Sequence, residues 1–321
     1  MRATLVIALT AGLFARAIAS AQVPDRPPVW EWSFDEIKAE AMKARAGRDL
    51  TPREWPGGAR VAVLLSFDLD NESESFITGD TSIFGLTFHE FGARRGLSRI
   101  LSVLDKEEVP ATFFVPAVSA MLAPEMIPAI QHSGRHEIAV HGWIHEYNSK
   151  LPPERQRELV SRAIEYLEEH TGKRPVGHRA PWGDVSDDTV KILQDLGLLY
   201  DTSMFSDDRP YEILRNGEPT GIVELPINLI LEDSVLNVAN EFSAGIVNPR
   251  DALQTWIDEF DRAHQERTFF LLVAHPHIIG LRSRIMVVEK LIEHMKAKGD
   301  VWFATHQQAA EYVKMRASSS Q

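Results

Sequence analysis

Residues 61–70, VAVLLSFDLD, constrain this chain more than any other stretch. The apolar run from Val61 lacks alternation, which predicts a strand covered on both faces. It ends in Asp68 and Asp70, and side chains two apart on a strand point to the same side, so both carboxylates share a face if the strand runs that far. Two carboxylates held together in a partly dry site raise one another's pKa unless a cation or a proton compensates. A metal ion is therefore the first thing to seek downstream. The competing reading is a pair of solvated turn acids after a core strand.

A strand buried on both faces requires layers above and below, and the remaining sequence supplies them. Further strands are expected to start at 111, 137, 176, 198, 222, 269 and 301. Helical spacing fills most of the intervals: Leu97, Ile100, Leu101 and Leu104 share a face, as do Leu159, Ala163, Tyr166 and Leu167. Further helices are read at 124–133, from Ser186, from Asn248–Pro249 to Glu266, at 283–298, and to about Met315 at the end. Strands alternating with helices imply an α/β fold with a mostly parallel sheet of seven or eight strands. Without an internal repeat or a linker, residues 61–316 read as a single barrel-like domain. Residues 22–60 hold two proline clusters, a short helix candidate from Phe34 to Ala46 and the turn-rich TPREWPGGA, and are expected to wrap its outside.

Residues 1–21 carry Arg2, an apolar run from Leu5 to Ala15 and the small-x-small signal Ala19-Ser20-Ala21. That pattern reads as an export signal, placing the mature chain in the periplasm or medium, and in the cytoplasm if the reading fails. No later stretch is apolar enough to predict a transmembrane anchor. A formal net charge of -12 argues against nucleic acid as a partner, since no basic run would neutralise phosphates. The absence of cysteine excludes a thiol nucleophile and a cysteine-ligated zinc site.

In parallel barrels chemistry gathers at the C-terminal strand ends, so candidates can be sorted by position. His141 follows the strand 136–140 directly, and a short helix would bring His145 to the same side. Two imidazoles at this spacing with one carboxylate suit a hydrolytic metal that keeps open coordination positions. Arg179 stands at the end of a third strand, where it would clamp a carboxylate. His275 follows the strand TFFLLVA, where it would donate a proton. Glu72, Trp143, Trp182, Asp201 and His277 are further candidates for the pocket, Asp201 as a residue orienting His275 and His277 as its rival. His178 should face away from Arg179 and be structural, while His89 lacks a partnered spacing. Residues 71–92, rich in phenylalanine, lack a clear period and are expected to be a loop that walls the pocket.

These residues together resemble the polysaccharide deacetylase family, carbohydrate esterase family 4, over roughly residues 60–305. SFDLD at 66–70 is similar to the family's first motif, HGWIH at 141–145 to its histidine motif, RAPW at 179–182 to its arginine motif, and His275 to its C-terminal histidine. Leu69 between the aspartates and Asn71-Glu72 after them depart from the usual pattern. With GHRAPW at 177–182, YDTSM at 200–204, SDDRPY at 206–211 and HPHIIG at 275–280, they resemble the branch holding peptidoglycan deacetylase-like, allantoinase-like and cyclic imide hydrolases. The resemblance implies a distorted, incomplete barrel and hydrolysis of non-peptide amide C–N bonds. Asp70, His141 and His145 would hold one divalent ion, zinc foremost; Asp68 would be the base, Arg179 its partner and His275 the acid. Two substrate classes follow: an N-acetyl amino sugar or cell-wall glycan, and a small cyclic imide, ureide or related amide. A non-catalytic carbohydrate-binding protein is the remote alternative, and relatives in this branch are often multimeric.

Overall fold

Val61–Asp68 forms a strand with every residue buried. The computed structural model describes residues 27–234 and 247–318, so the expected export segment lies outside the described residues. Ten strands are present among them: β1 (Arg45–Asp49), β2 (Val61–Asp68), β3 (Thr112–Val115), β4 (Glu137–Val140), β5 (Gly177–His178), β6 (Tyr200–Asp201), β7 (Tyr211–Arg215), β8 (Glu218–Glu224), β9 (Phe269–Ala274) and β10 (Val301–Ala304). All belong to one sheet in the order β1-β7-β8-β6-β5-β4-β3-β2-β10, with β9 also paired to β2.

The pairing of β2 shows how the sheet curls. Its Val61–Leu64 half pairs with β10 and its Ser66–Asp68 end pairs with β3, while β9 runs along Ala62–Phe67. All three pairings are parallel, as are those linking β3 through β4, β5 and β6 to β8. A single parallel bridge between Glu232 and Val273 extends the curl beyond β9. The result is an open, distorted barrel in a mixed sheet, as expected for an α/β chain of this pattern.

Alternation along β2 divides the core. Val61, Val63, Leu65 and Phe67 face the outer helices and pack with Leu97, Ile100, Leu104, Val288 and Leu291. Ala62 and Leu64 face the opposite side and meet Phe114, Ala139, Tyr200, Val223, Leu271 and Val273. Continuing along that inner face, Ser66 and Asp68 follow, then Asp70 beyond the strand end. The inner face therefore turns from apolar to ionisable within one strand, because a barrel mouth is where water and substrate reach side chains that the lower layers keep dry.

Three expectations are corrected. The helix expected from Phe34 to Ala46 stops at Ala41, and β1 begins at Arg45 and joins the sheet edge antiparallel to β7, so the sheet takes in part of the segment expected to wrap its outside. β7 was unforeseen, yet Asn216-Gly217 between β7 and β8 adopts positive φ at both residues, the conformation that joins antiparallel strands by a two-residue turn. Residues 71–92 are not a loop but the helices Glu72–Thr78 and Ile83–Phe91, the second capped by Ser82, whose side chain accepts the Gly85 N–H. Their apolar residues Phe76, Ile83, Phe84 and Phe88 remain exposed, which hid the helical period that a buried face would have shown.

Candidate metal centre and active site

Five strands contribute side chains to the mouth, β2 two of them. Asp68 and Asp70 come from β2 and its extension, His141 from the end of β4, Arg179 from β5, Thr202 from β6 and His275 from β9. All six are buried. Asp70 is fixed from behind, where its carbonyl accepts the Ser119 hydroxyl at 2.6 Å.

The Asp70 carboxylate is the centre of the group. Its Oδ1 lies 3.3 Å from His141 Nε2 and 3.4 Å from His145 Nε2, and its Oδ2 lies 3.5 Å from His275 Nε2. His141 donates from Nδ1 to the Arg179 carbonyl at 2.8 Å, which sets its tautomer and leaves the Nε2 lone pair facing Asp70. Asp70 Oδ1 is buried without a hydrogen-bond partner. One donor atom from each of Asp70, His141 and His145 lies within 4.8 Å of the others. An orphaned carboxylate oxygen between two imidazole nitrogens fits a divalent cation, since a bound ion supplies the compensation that the buried charge lacks. Burial alone would favour a neutral Asp70, but His145, His141 and His275 hold its pKa well below the usual range. Burial also depresses His145 to about 4, keeping its imidazole neutral and able to ligate.

The local backbone explains why a pentapeptide suffices for two ligands. His141 and His145 do not lie on a helix: Gly142 and His145 take positive φ, at 74° and 62°, in a tight turn. Glu146 holds that turn by accepting the N–H groups of Trp143 and Ile144 at 3.0 and 2.8 Å. A Cβ on residue 142 would approach both the Glu146 carboxylate and Pro181 at 3.0 Å, so glycine meets both the torsional and the spatial demand there.

Two further pairs flank the centre. Arg179 donates from Nη1 to Asp68 Oδ1 at 2.6 Å and to Ser66 Oγ at 3.0 Å, and its guanidinium lies 4.0 Å over the Phe114 ring. On the other flank Asp233 accepts from His275 twice, from Nδ1 at 2.7 Å and from the backbone N–H at 3.0 Å. Burial would lower the His275 pKa, but the Asp233 carboxylate raises it well above the ordinary value and Nε2 is left facing the mouth.

Several candidates are placed differently from expectation. Asp201 does not orient His275: it pairs with His178 Nδ1 at 2.7 Å, and Asp233, 42 residues before His275, takes the orienting position. Trp143 turns from the metal ligands into the outer core, against Tyr166 and under the Arg162 guanidinium at 4.0 Å. Glu72 lines a separate hollow with Glu90, Arg94 and Met126. Trp182 does border the site, with its ring 4.6 Å from that of His145 and its indole N–H donating to the His145 carbonyl. It stacks on Tyr147 at 5.1 Å and is 41% exposed, a flat apolar wall beside the ligands. His277 lies 5.8 Å from His275 ring to ring, but points to Glu74 and His89. Asp233 and His89 carry no local signal, because the packing of separate elements sets their partners; Glu146 lies two and three residues from the N–H groups it accepts, and the shape of the turn gives it that role.

The open barrel, the ligand triad at its mouth, and flanking base-like and acid-like residues define a metal-dependent hydrolase of amide C–N bonds. The family model for polysaccharide deacetylase matches residues 78–200. A peptidoglycan deacetylase-like protein of Gibberella zeae is 32% identical over 292 residues, covering 78% of this chain and 86% of that one. The peptidoglycan deacetylase of Helicobacter pylori is 29% identical over 254 residues, covering 70% and 86%. Among solved structures, Puue allantoinase superposes with a TM-score of 0.72 at 25% identity, covering 83% of this chain and 93% of that one. This chain belongs to the polysaccharide deacetylase family.

Proposed function

We propose that the protein removes the acetyl group from an N-acetyl amino sugar of a cell-wall glycan, using zinc held by Asp70, His141 and His145. The observation that carries this reading is the opposed pair of anchored side chains beside the ligand triad: Asp68 on its arginine, and His275 on Asp233. A zinc ion at such a site supplies Lewis acidity, polarising a carbonyl and lowering the pKa of water. Imidazole and carboxylate donors suit zinc better than magnesium or calcium.

The protein residues divide the remaining work. Asp68 takes a proton from the attacking water, and the Arg179 guanidinium holds that carboxylate in place for the purpose. His275, aimed by Asp233, delivers a proton from Nε2 to the departing nitrogen, so that an amine leaves in place of an amide anion. Trp182 and Tyr147 offer a stacked, partly exposed face on which a sugar ring can rest. The export pattern in residues 1–21 supports a location beside peptidoglycan, and we propose that the mature chain is periplasmic or secreted.

A second reading, ring opening of a small cyclic ureide or imide, rests on the likeness to Puue allantoinase. One assay separates them: acetate release from N-acetylglucosamine oligomers and peptidoglycan fragments, run beside ring opening of allantoin, hydantoin and succinimide. Acetate release with intact rings is the expected result. Ring opening without acetate release would overturn the sugar substrate and leave the metal chemistry standing. Elemental analysis tests the ion: near-stoichiometric zinc is expected in the wild type, with a loss of one ion per chain in His141→Ala.

A further inference from the structure

A second group of ligand-type side chains sits beside the first and shares none of its residues. Glu74, His89 and His277 each place one donor atom within 4.8 Å of the others. They come from the consecutive helices Glu72–Thr78 and Ile83–Phe91 and, far along the chain, from the short helix Pro276–Ile279 after β9. Glu74 Oε2 is 3.1 Å from His89 Nε2 and 4.0 Å from His277 Nε2, and the two imidazole rings lie 4.9 Å apart. Glu74 stands four residues beyond Asp70, in the helix that follows it.

Hydrogen bonds from behind orient His89, whereas packing alone holds His277. His89 Nδ1 lies 3.0 Å from the Gly85 carbonyl, to which it donates, and 2.7 Å from Ser75 Oγ, so Nε2 is turned toward Glu74. His277 is 4% exposed, and its buried Nδ1 has no hydrogen-bond partner among the described residues. Its ring is wedged edge-on against Phe88 at 5.3 Å. An imidazole buried without full hydrogen bonding costs stability unless a further partner engages it.

The backbone brings these elements together by unusual means. The helix carrying His89 runs into a π-helical turn, Gly92–Gly96, a form that recurs at functional sites. At Gly96 a Cβ would fall 2.0 Å from the Pro276 carbonyl, so only glycine lets that turn approach the segment between His275 and His277.

We propose that Glu74, His89 and His277 form a second cation site, distinct from the Asp70 centre and selective for a transition-metal dication of the zinc, cobalt or nickel kind. Two nitrogens and one carboxylate oxygen select such an ion over magnesium or calcium, which prefer all-oxygen shells. Glu74 and His89 are only partly buried, which leaves coordination positions open to solvent at the mouth. The proposal does not rest on the substrate reading, because the two triads have no ligand in common.

The test counts ions. The full chain is stripped with chelator, then dialysed against increasing Zn2+, with bound metal measured by elemental analysis and Co2+ absorption read in parallel. Two ions per chain are expected in the wild type at saturation, the second unaffected by excess Mg2+. His89→Ala and Glu74→Gln should each bind one, and His145→Ala should lose the first ion while keeping the second. Glu74→Gln preserves side-chain shape, so it decides the matter should thermal unfolding show His89→Ala to be misfolded. Saturation of the wild type at one ion would overturn the proposal, as would two ions in folded Glu74→Gln. A folded Glu74→Gln that binds none would also overturn it, because Glu74 would then act through the Asp70 centre.

Discussion

Asp68 and Asp70 stand two residues apart on one strand face, yet their neighbours assign them different work. Asp68 meets a guanidinium, and Asp70 meets imidazoles with one oxygen left free. Asp68→Asn should therefore keep the metal while losing roughly 10²–10⁴-fold in turnover, the range for removal of a general base. Asp70→Asn should lose both, and equal metal loss in the two variants would reverse the assignment. Asp233→Asn leaves every proposed ligand in place but no longer holds His275 as an ion pair; metal content should stay at wild-type level while kcat falls about 10²-fold or more. Away from the mouth, Glu224 accepts the backbone N–H groups of Ser203 and Met204, and burial beside Asp201 raises its pKa well above the usual carboxylate range. The unfolded chain thus releases this proton at a lower pH than the folded one. Between those two values the folded state binds the extra proton, so its stability falls as pH rises. Glu224→Gln, which mimics the neutral acid, should cost less than about 1 kcal/mol at pH 5 and gain on the wild type toward pH 8 in urea unfolding. A constant difference across that range would contradict a protonated Glu224.

Elements matter here through where they stop. Helix Pro276–Ile279 begins at the residue after His275, and its first carbonyl lies where a Cβ on residue 96 would go. Gly96→Ala should push this helix outward, costing about 1–3 kcal/mol as overpacking and misplacing His275. Turnover should drop at least about tenfold, given the sensitivity of rate to small displacements, while the ion at Asp70 is retained because its ligands stand on other strands. Unchanged kcat in a protein of lowered Tm would show that the mouth tolerates this shift. At the sheet edge, a Cβ at Gly47 would meet the Glu212 carbonyl at 2.6 Å. Gly47→Val should loosen the β1–β7 pairing, seen as faster amide exchange over residues 45–49 with the site's metal content unaltered.

For the whole molecule, the export pattern in residues 1–21 predicts where it works. Protein made in its native host is expected to begin near Gln22 and to fractionate with the periplasm or medium; an intact Met1 on cytoplasmic protein would refute export and favour the small-amide substrate. No described helix is long and apolar enough to cross a membrane. The residues that announce the site from sequence are those whose meaning is local. Period two puts Asp68 and Asp70 on one face, the apolar runs mark β2 and β9, and a histidine straight after a strand must lie at a barrel end. What tertiary structure decided was partnership. Asp233 and not Asp201 holds His275, and Trp143 leaves the mouth for the outer core. His89 finds Glu74 and His277 across three separate elements. Local backbone preference acts over a few residues and is written in their order; which side chains meet across a sheet follows from strand order and curl, and these are set by the packing of the whole core.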